Sequence, residues 1–150
     1  MGRAGDITGI DPAESLAQAV MILCDTNILI EFYKGNQQVV DVLRGISIPN
    51  LAISIVTTGE LYYGAKDRRE LHKIKSHLSQ IQQIPLDADI SALAVTLLEE
   101  YVLSHKLSVP DALIAATAIR QGLPLYTLNI KDFHTIPNLQ LHQPLSKKLS

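Results

Sequence analysis

Three carboxylic acids stand in short sequence settings where their side chains can meet: Asp25, Glu60 and Asp111. Asp25 ends an apolar run at residues 21–24, and Asp111 follows Pro110 at the start of an alanine-rich segment. In an α/β chain, acids at strand ends and helix starts can converge at one edge of the sheet. Converging carboxylates repel one another unless a hard divalent cation neutralises them, and Mg²⁺ prefers oxygen ligands. Such a cluster suits metal-assisted phosphodiester chemistry.

Each acid also has a purely structural explanation. Asp25 can cap the next helix, Glu60 is expected early in a helix, and Asp111 suits the positive end of a helix dipole. A cap explains one acid but not its partners, so we favour metal ligation for Asp25. Gly59 and Gly64 flank Glu60. Because glycine costs about 1 kcal/mol in a helix relative to alanine, this pair indicates close packing or ligand approach.

A fourth group of polar residues follows the strand expected at residues 125–127. Asn129 offers a neutral carbonyl oxygen, and Asp132 adds an acid three residues later. Thr26 and Thr127 are candidates for orienting a carboxylate or a water from behind the ligands. Thr26 or Asn27 is expected to cap the helix after Asp25.

Composition narrows the function classes. A chain of 150 residues fits one domain, and a formal net charge of −2 leaves nucleic-acid contact to a local basic patch. One cysteine permits neither an intramolecular disulfide nor a cysteine-rich zinc site, which is compatible with a reducing cytoplasm. No apolar stretch approaches the roughly 20 residues that a membrane-spanning helix needs.

Apolar patterning predicts strands alternating with helices, and hence a parallel, three-layer α/β sheet. Strands are expected at residues 21–24, 51–54, 84–86, 125–127 and 139–141, the last on an edge. Helices are expected to follow Asp25, to run through residues 39–45, to carry Glu60, and to span residues 68–81, 88–106 and 108–121. Residues 1–20 are interpreted as an upstream extension, foreign to the native chain or disordered, with residues 21–150 as the functional domain. An ordered helix at residues 12–19 is the alternative.

Four segments in this order resemble the PIN-domain nucleases, and most closely the VapC-type toxins of bacterial toxin–antitoxin pairs. The segments are residues 23–30, 58–65, 110–116 and 127–133, and the resemblance runs from Met21 to about Leu141. It implies a PIN-like fold with a central, mainly parallel sheet of four to five strands. It also implies a cytoplasmic endoribonuclease dependent on Mg²⁺ or Mn²⁺, a homodimer, and a cognate antitoxin that blocks the site.

By this resemblance, Asp25, Glu60 and Asp111 are the acidic metal ligands. The family's frequent fourth acid falls on Asn129, which departs from the pattern and leaves open whether one metal or two bind. Independently of the family, no plausible histidine pair is present. We therefore expect an activated water to attack the phosphate in line, leaving 5′-phosphate and 3′-hydroxyl ends.

A basic stretch follows Glu60 and is a candidate RNA contact through Lys66, Arg68 and Arg69. The alternative is a solvated helix face. Two rival functions also stay open. A PIN fold with an impaired site would bind RNA or a protein without cutting, which Asn129 favours. A receiver-like phosphoacceptor domain also uses an acid at a sheet end, but it fits Glu60 poorly.

Overall fold

The structure is a computed structural model and describes residues 21–144. Its strands are β1 (Ile22–Cys24), β2 (Leu51–Ser54), β3 (Gln82–Ile84) and β4 (Leu125–Tyr126). They form one sheet in the order β3-β2-β1-β4, and every pair is parallel. The order places β1 and β2 in the middle, so the parallel α/β fold predicted from the sequence is confirmed with four strands.

Helices connect and cover these strands. Within residues 21–144 they are α1 (Thr26–Tyr33), α2 (Gln37–Ile46), α3 (Ile55–Tyr63), α4 (Arg68–Leu78), α5 (Ala88–His105), α6 (Val109–Gln121) and α7 (Ile130–Phe133). A 3₁₀ turn at Ile48–Asn50 leads into β2. None of these helices is long and apolar enough to span a membrane.

Strands β1, β2 and β4 are buried on both faces, which explains why they are apolar except for Ser54. The edge strand β3 instead begins with two glutamines, the first of them exposed. Leu23 belongs to a core cluster shared with α5 and α6. Its neighbours Ile22 and Cys24 belong to a second cluster, shared with α1, α2 and α4. Because successive side chains of a strand point to opposite faces, β1, like β2 and β4, contributes to both cores, and the domain has three layers. Burial and the nearby Asp25 charge raise the pKa of the Cys24 thiol to about 12, so this cysteine is a small buried apolar residue.

Helix α6 lies close against the sheet because its inner face is built from alanine. Ala112, Ala115, Ala116 and Ala118 are at most 1% exposed. Pro110 lies in the first turn, where its missing N–H is not needed. Gly122 ends the helix with a φ of 67°, a left-handed conformation that glycine adopts without strain. The helix predicted at residues 108–121 is confirmed, and it carries Asp111 in its first turn.

Three expectations about elements were wrong. β3 is Gln82–Ile84 rather than 84–86, because Pro85 ends the pairing with β2 instead of lying within it. Residues 139–141 form no strand; Leu141 makes one isolated parallel bridge to Leu125. Asp25 itself, not Thr26 or Asn27, caps α1. The expectations for residues 1–20 lie outside the described residues.

Candidate active site

Asp25 leaves the carboxyl end of the central strand β1 and is only 4% exposed. Its Oδ1 accepts a hydrogen bond of 2.8 Å from the backbone N–H of Thr26, which caps α1. Its Oδ2 accepts a bond of 2.7 Å from the hydroxyl of Thr127, just beyond β4. The helix-capping role considered for Asp25 is therefore confirmed. The two bonds also fix the direction of a buried carboxylate at the sheet edge.

The electrostatic balance at Asp25 favours the protonated acid more than in water. Burial raises the pKa of this carboxyl above its usual value, and the Glu60 charge raises it further. Hydrogen bonds from Thr127 and from the Thr26 backbone act in the opposite direction. A carboxylate held in this way is stabilised by any cation placed beside it.

Glu60 approaches the same edge from α3. The helix begins at Ile55, directly after the capping residue Ser54, so Glu60 lies in its second half and the expectation of an early position was wrong. Its side chain therefore gains nothing from the helix N-terminus. Instead, Oε1 accepts a short hydrogen bond of 2.6 Å from the hydroxyl of Thr26. This contact ties Glu60 to the residue that follows Asp25.

The two glycines beside Glu60 have different roles. Gly64 is the C-cap of α3, and its N–H bonds to the carbonyl of Glu60. A Cβ added to Gly59 would meet nothing within 4 Å, so close packing does not explain this glycine. Gly59 therefore leaves open surface one residue from the Glu60 carboxylate.

Asp111 lies in the first turn of α6, where Ser108 caps the helix and accepts a bond of 3.2 Å from the Asp111 N–H. The pKa of this half-buried acid is raised to about 6, first by burial and then by the Asp25 charge. Glu60 and Asp132 raise it further. The charges of acids from three other parts of the chain thus act on Asp111, and Asp132 is added to the three acids whose convergence the sequence predicted.

Asn129 and Asp132 lie together in the segment that follows β4. The Asn129 Nδ2 donates a hydrogen bond of 2.8 Å to Asp132 Oδ2. The Asn129 backbone N–H donates to the Thr127 hydroxyl at 2.9 Å, and this hydroxyl in turn donates to Asp25. Asn129 therefore contacts Asp132 through its side chain and Thr127, which bonds to Asp25, through its backbone N–H.

Asn27 and the basic residues lie on segments next to those that carry the acids. The Asn27 Oδ1 accepts a bond of 3.3 Å from the backbone N–H of Leu128, holding α1 against the loop after β4. Lys66, Arg68 and Arg69 are exposed at the junction of α3 and α4, just beyond the end of the Glu60 helix. Within residues 21–144 none of the three forms a salt bridge, so their charges face solvent there.

The donor set suits a hard divalent cation, since every side-chain group considered as a ligand offers oxygen and the acids repel one another without one. Their present spacing is looser than a closed coordination shell. Within residues 21–144, no three His, Cys, Asp or Glu side chains form a ready-made group that could hold a metal. Thr26, Thr127 and Asn129 instead hold separate carboxylates by hydrogen bonds.

Thr57 is a polar residue of this region that sequence reasoning missed. It lies on α3 with no exposed surface, and its hydroxyl is 2.9 Å from that of Thr26. The available signal was its spacing, because a residue three positions before Glu60 lies on the same helix face. Its partner lies 31 residues away in sequence, so the contact itself could not be predicted.

The known proteins that match this chain identify its family. The model of the PIN domain matches residues 22–138, which contain all four acids. This chain belongs to the PIN-domain family. Among curated PIN relatives, Ribonuclease VapC10 of Mycobacterium tuberculosis is 35% identical over 124 residues, covering 80% of this chain and 91% of the relative. The chain is therefore of the VapC type.

Solved structures similar to this chain include a toxin–antitoxin complex and a VapBC complex. A toxin–antitoxin complex from Klebsiella pneumoniae contains a chain 35% identical to this one, with a TM-score of 0.69 and coverage of 83% of this chain and 99% of that chain. VapBC2 from Rickettsia felis, bound to a DNA fragment from its promoter, is 30% identical with a TM-score of 0.69, covering 81% and 96%.

Proposed function

We propose that this PIN-domain chain is a divalent-metal-dependent endoribonuclease and the toxin of a toxin–antitoxin pair. The observation that carries the proposal is the placement of Asp25 at the end of β1, Glu60 on α3 and Asp111 in the first turn of α6, where the charges of Asp25 and Glu60 act on Asp111. Acids brought together at a cost in repulsion are typical of sites that hold a cation. The ribonuclease name of the VapC10 relative supplies the substrate class. The domain responsible is residues 21–150.

The acids have distinct roles in this proposal. Asp25, Glu60 and Asp111 hold Mg²⁺ or Mn²⁺, and Asn129 adds a neutral carbonyl oxygen. When bound, the cation supplies charge neutralisation at the scissile phosphate and lowers the pKa of a water. Thr127 keeps the Asp25 carboxylate in one orientation, and Thr26 does the same for Glu60. Two supporting positions remain: Asp132 orients Asn129, and Asn27 fixes the loop at Leu128.

RNA is held by local charge, since the whole chain carries a net charge of only −2. Lys66, Arg68 and Arg69 contact the phosphate backbone near the exposed end of α3. Such contacts are sequence-independent and fall off with salt. The open surface beside Gly59 leaves room for the strand to reach Glu60.

The partners of this chain are a cognate antitoxin and a second copy of itself. The antitoxin is supported by the Klebsiella toxin–antitoxin complex, whose matching chain is 35% identical to this one. The VapBC2 structure from Rickettsia, with a matching chain 30% identical, supports it further. We propose the homodimer and a cytoplasmic location because the resemblance to VapC-type toxins implies them. A toxin acting on cellular RNA has to be held inactive until release, which is the role proposed for the antitoxin.

Cleavage of total cellular RNA by the purified, antitoxin-free protein tests the function. Reactions contain Mg²⁺, Mn²⁺ or EDTA, and the new ends are sequenced with and without prior phosphatase treatment. We expect metal-dependent cuts at a small set of sites, with 5′-phosphate and 3′-hydroxyl ends. Products ending in 2′,3′-cyclic phosphate, or equal cutting in EDTA, would contradict the proposed chemistry.

A second candidate function is binding without cleavage. It is favoured by Asn129 in place of a fourth acid and by the lack of a compact acidic group within residues 21–144. In this case the folded protein retains RNA in a filter-binding assay, but no metal produces new ends. The cleavage assay therefore separates the two functions.

A further inference from the structure

Two threonines lie fully buried inside helices, and their hydroxyls behave differently. Thr117 of α6 donates to the carbonyl of Leu113 at 2.8 Å, the usual bond from a helical threonine to the preceding turn. Thr57 of α3 instead points across to α1, where its Oγ1 lies 2.9 Å from the Oγ1 of Thr26. Thr57 therefore serves a contact between helices rather than its own helix.

The direction of the proton in the Thr57–Thr26 pair follows from counting donors. A threonine hydroxyl has one proton to donate and two lone pairs that accept. Thr26 gives its proton to Glu60 Oε1 at 2.6 Å, and an ionised carboxylate can only accept. Thr57 must then be the donor to Thr26. The result is a directed chain that runs from Thr57 through Thr26 to Glu60.

We propose that Thr57 is a positioning residue for the cation site, acting through Thr26 on the Glu60 carboxylate. Glu60 is exposed, so holding its side chain in one rotamer opposes its conformational entropy. The short bond from Thr26 provides that restraint, and hydrogen bonds in a chain polarise and strengthen one another. Because Thr57 is 0% exposed and Thr26 only 9%, water does not readily replace the Thr57 hydroxyl. This inference rests on the proposed metal-dependent function.

The test compares Thr57→Val, which removes the hydroxyl at similar shape, with Thr57→Ser, which keeps it. Thr117→Val is the matched control, because it removes an equally buried helical hydroxyl that does not touch the acids. Mn²⁺ binding to each protein without RNA is followed by the loss of the free-ion EPR signal. Circular dichroism and thermal melting check folding, and Thr57→Ala replaces Thr57→Val if the valine variant does not fold.

We expect Thr57→Val to raise the Mn²⁺ dissociation constant by about tenfold, the low end of the usual loss for a residue behind a metal ligand. Thr57→Ser and Thr117→Val should stay close to wild type. In RNA cleavage, Thr57→Val should lower kcat and leave KM for RNA unchanged. Unchanged Mn²⁺ affinity in Thr57→Val, or an equal loss in Thr117→Val, would overturn the role of Thr57 while leaving the nuclease intact. Wild-type protein that binds Mn²⁺ but never cuts RNA would overturn the proposed function alone.

Discussion

The hydroxyl of Thr127 donates a 2.7 Å hydrogen bond to Oδ2 of Asp25, joining residues 102 positions apart. The bond connects the ends of the neighbouring strands β1 and β4, which pair through Leu23–Leu125 and Cys24–Tyr126. It therefore orients the most buried acid of the site by means of the sheet itself. The parallel register, not a loop, determines where this carboxylate lies.

Removing this hydroxyl should weaken cation binding. In Thr127→Val the pKa of Asp25 should rise further, because the bond from Thr127 is the largest influence that lowers it. We expect the Mn²⁺ dissociation constant to increase by about 10- to 100-fold. Calorimetric titration measures it, with Thr96→Val as control. Within residues 21–144, the exposed Thr96 bonds only to a carbonyl of its own helix, at 3.3 Å. Equal affinity in wild type and Thr127→Val would contradict the role given to this bond.

The raised pKa of Asp111 predicts how stability depends on pH. The unfolded pKa of an aspartate is about 4, and the folded value here is about 6. Between these values the folded chain binds more protons than the unfolded chain, so this group lowers the free energy of unfolding as the pH rises. Asp111→Asn should therefore stabilise the metal-free protein more at pH 7 than at pH 5.

Thermal melting in EDTA measures this difference. Comparing each variant with wild type at the same pH cancels other titrations, including those of His77 and His142, whose pKa values are lowered by burial. Asp41→Asn is the control, because Asp41 is an exposed acid on α2. If Asp111→Asn shifts the melting temperature by the same amount at both pH values, the pKa of Asp111 is not raised in the folded protein.

The Asn129–Asp132 bond predicts a thermodynamic coupling. Asn129→Asp places two carboxylates where an amide now donates at 2.8 Å, so the metal-free protein should lose stability. Asp132→Asn removes the acceptor charge but keeps a neutral carbonyl oxygen, so it should weaken the bond. The double exchange, Asn129→Asp with Asp132→Asn, restores one donor and one acceptor. Denaturant unfolding should give the double variant more stability than the sum of the single effects, by about 0.5–3 kcal/mol. Additive effects would show that the pair is not coupled.

The basic stretch predicts salt-dependent RNA binding. Changing Lys66, Arg68 and Arg69 to glutamine should weaken binding to single-stranded RNA. The slope of log affinity against log salt should fall by about 0.7 for each phosphate that is no longer neutralised. Arg120→Gln is the control, because Arg120 lies at the end of α6 away from Asp111 and pairs with Asp89 at 3.2 Å. A triple variant with an unchanged slope would leave these residues as a solvated helix face.

Sequence predicted the parts of the site that depend on local signals. Asp25 after an apolar run and Asp111 after a serine cap and a proline are placed by the residues beside them. Glu60 was misplaced within its helix because the β-branched run at residues 55–58 favours a strand over a helix, and only Ser54, capping directly at the strand end, sets the start of α3.

Contacts between distant parts of the chain could not be predicted. The Thr57–Thr26 bond depends on how α1 and α3 pack against each other. The sequences of these two helices do not determine that packing. The short β3 and the single Leu125–Leu141 bridge likewise depend on which backbone groups their neighbours leave available. Asp132 was identified as an acid of this segment, but the action of its charge on Asp111 depends on the short helix α7, which the sequence did not predict.

The most direct test of the cation site is single-turnover cleavage of the mapped RNA by wild type, Asp25→Asn and Asp41→Asn across a Mg²⁺ titration. Asparagine keeps the shape of Asp25 and removes its charge. We expect wild type and Asp41→Asn to cut with the same saturating Mg²⁺ dependence, and Asp25→Asn to lose cleavage while staying folded. Cleavage by a folded Asp25→Asn at the wild-type rate and the wild-type Mg²⁺ dependence would contradict the assignment of the site.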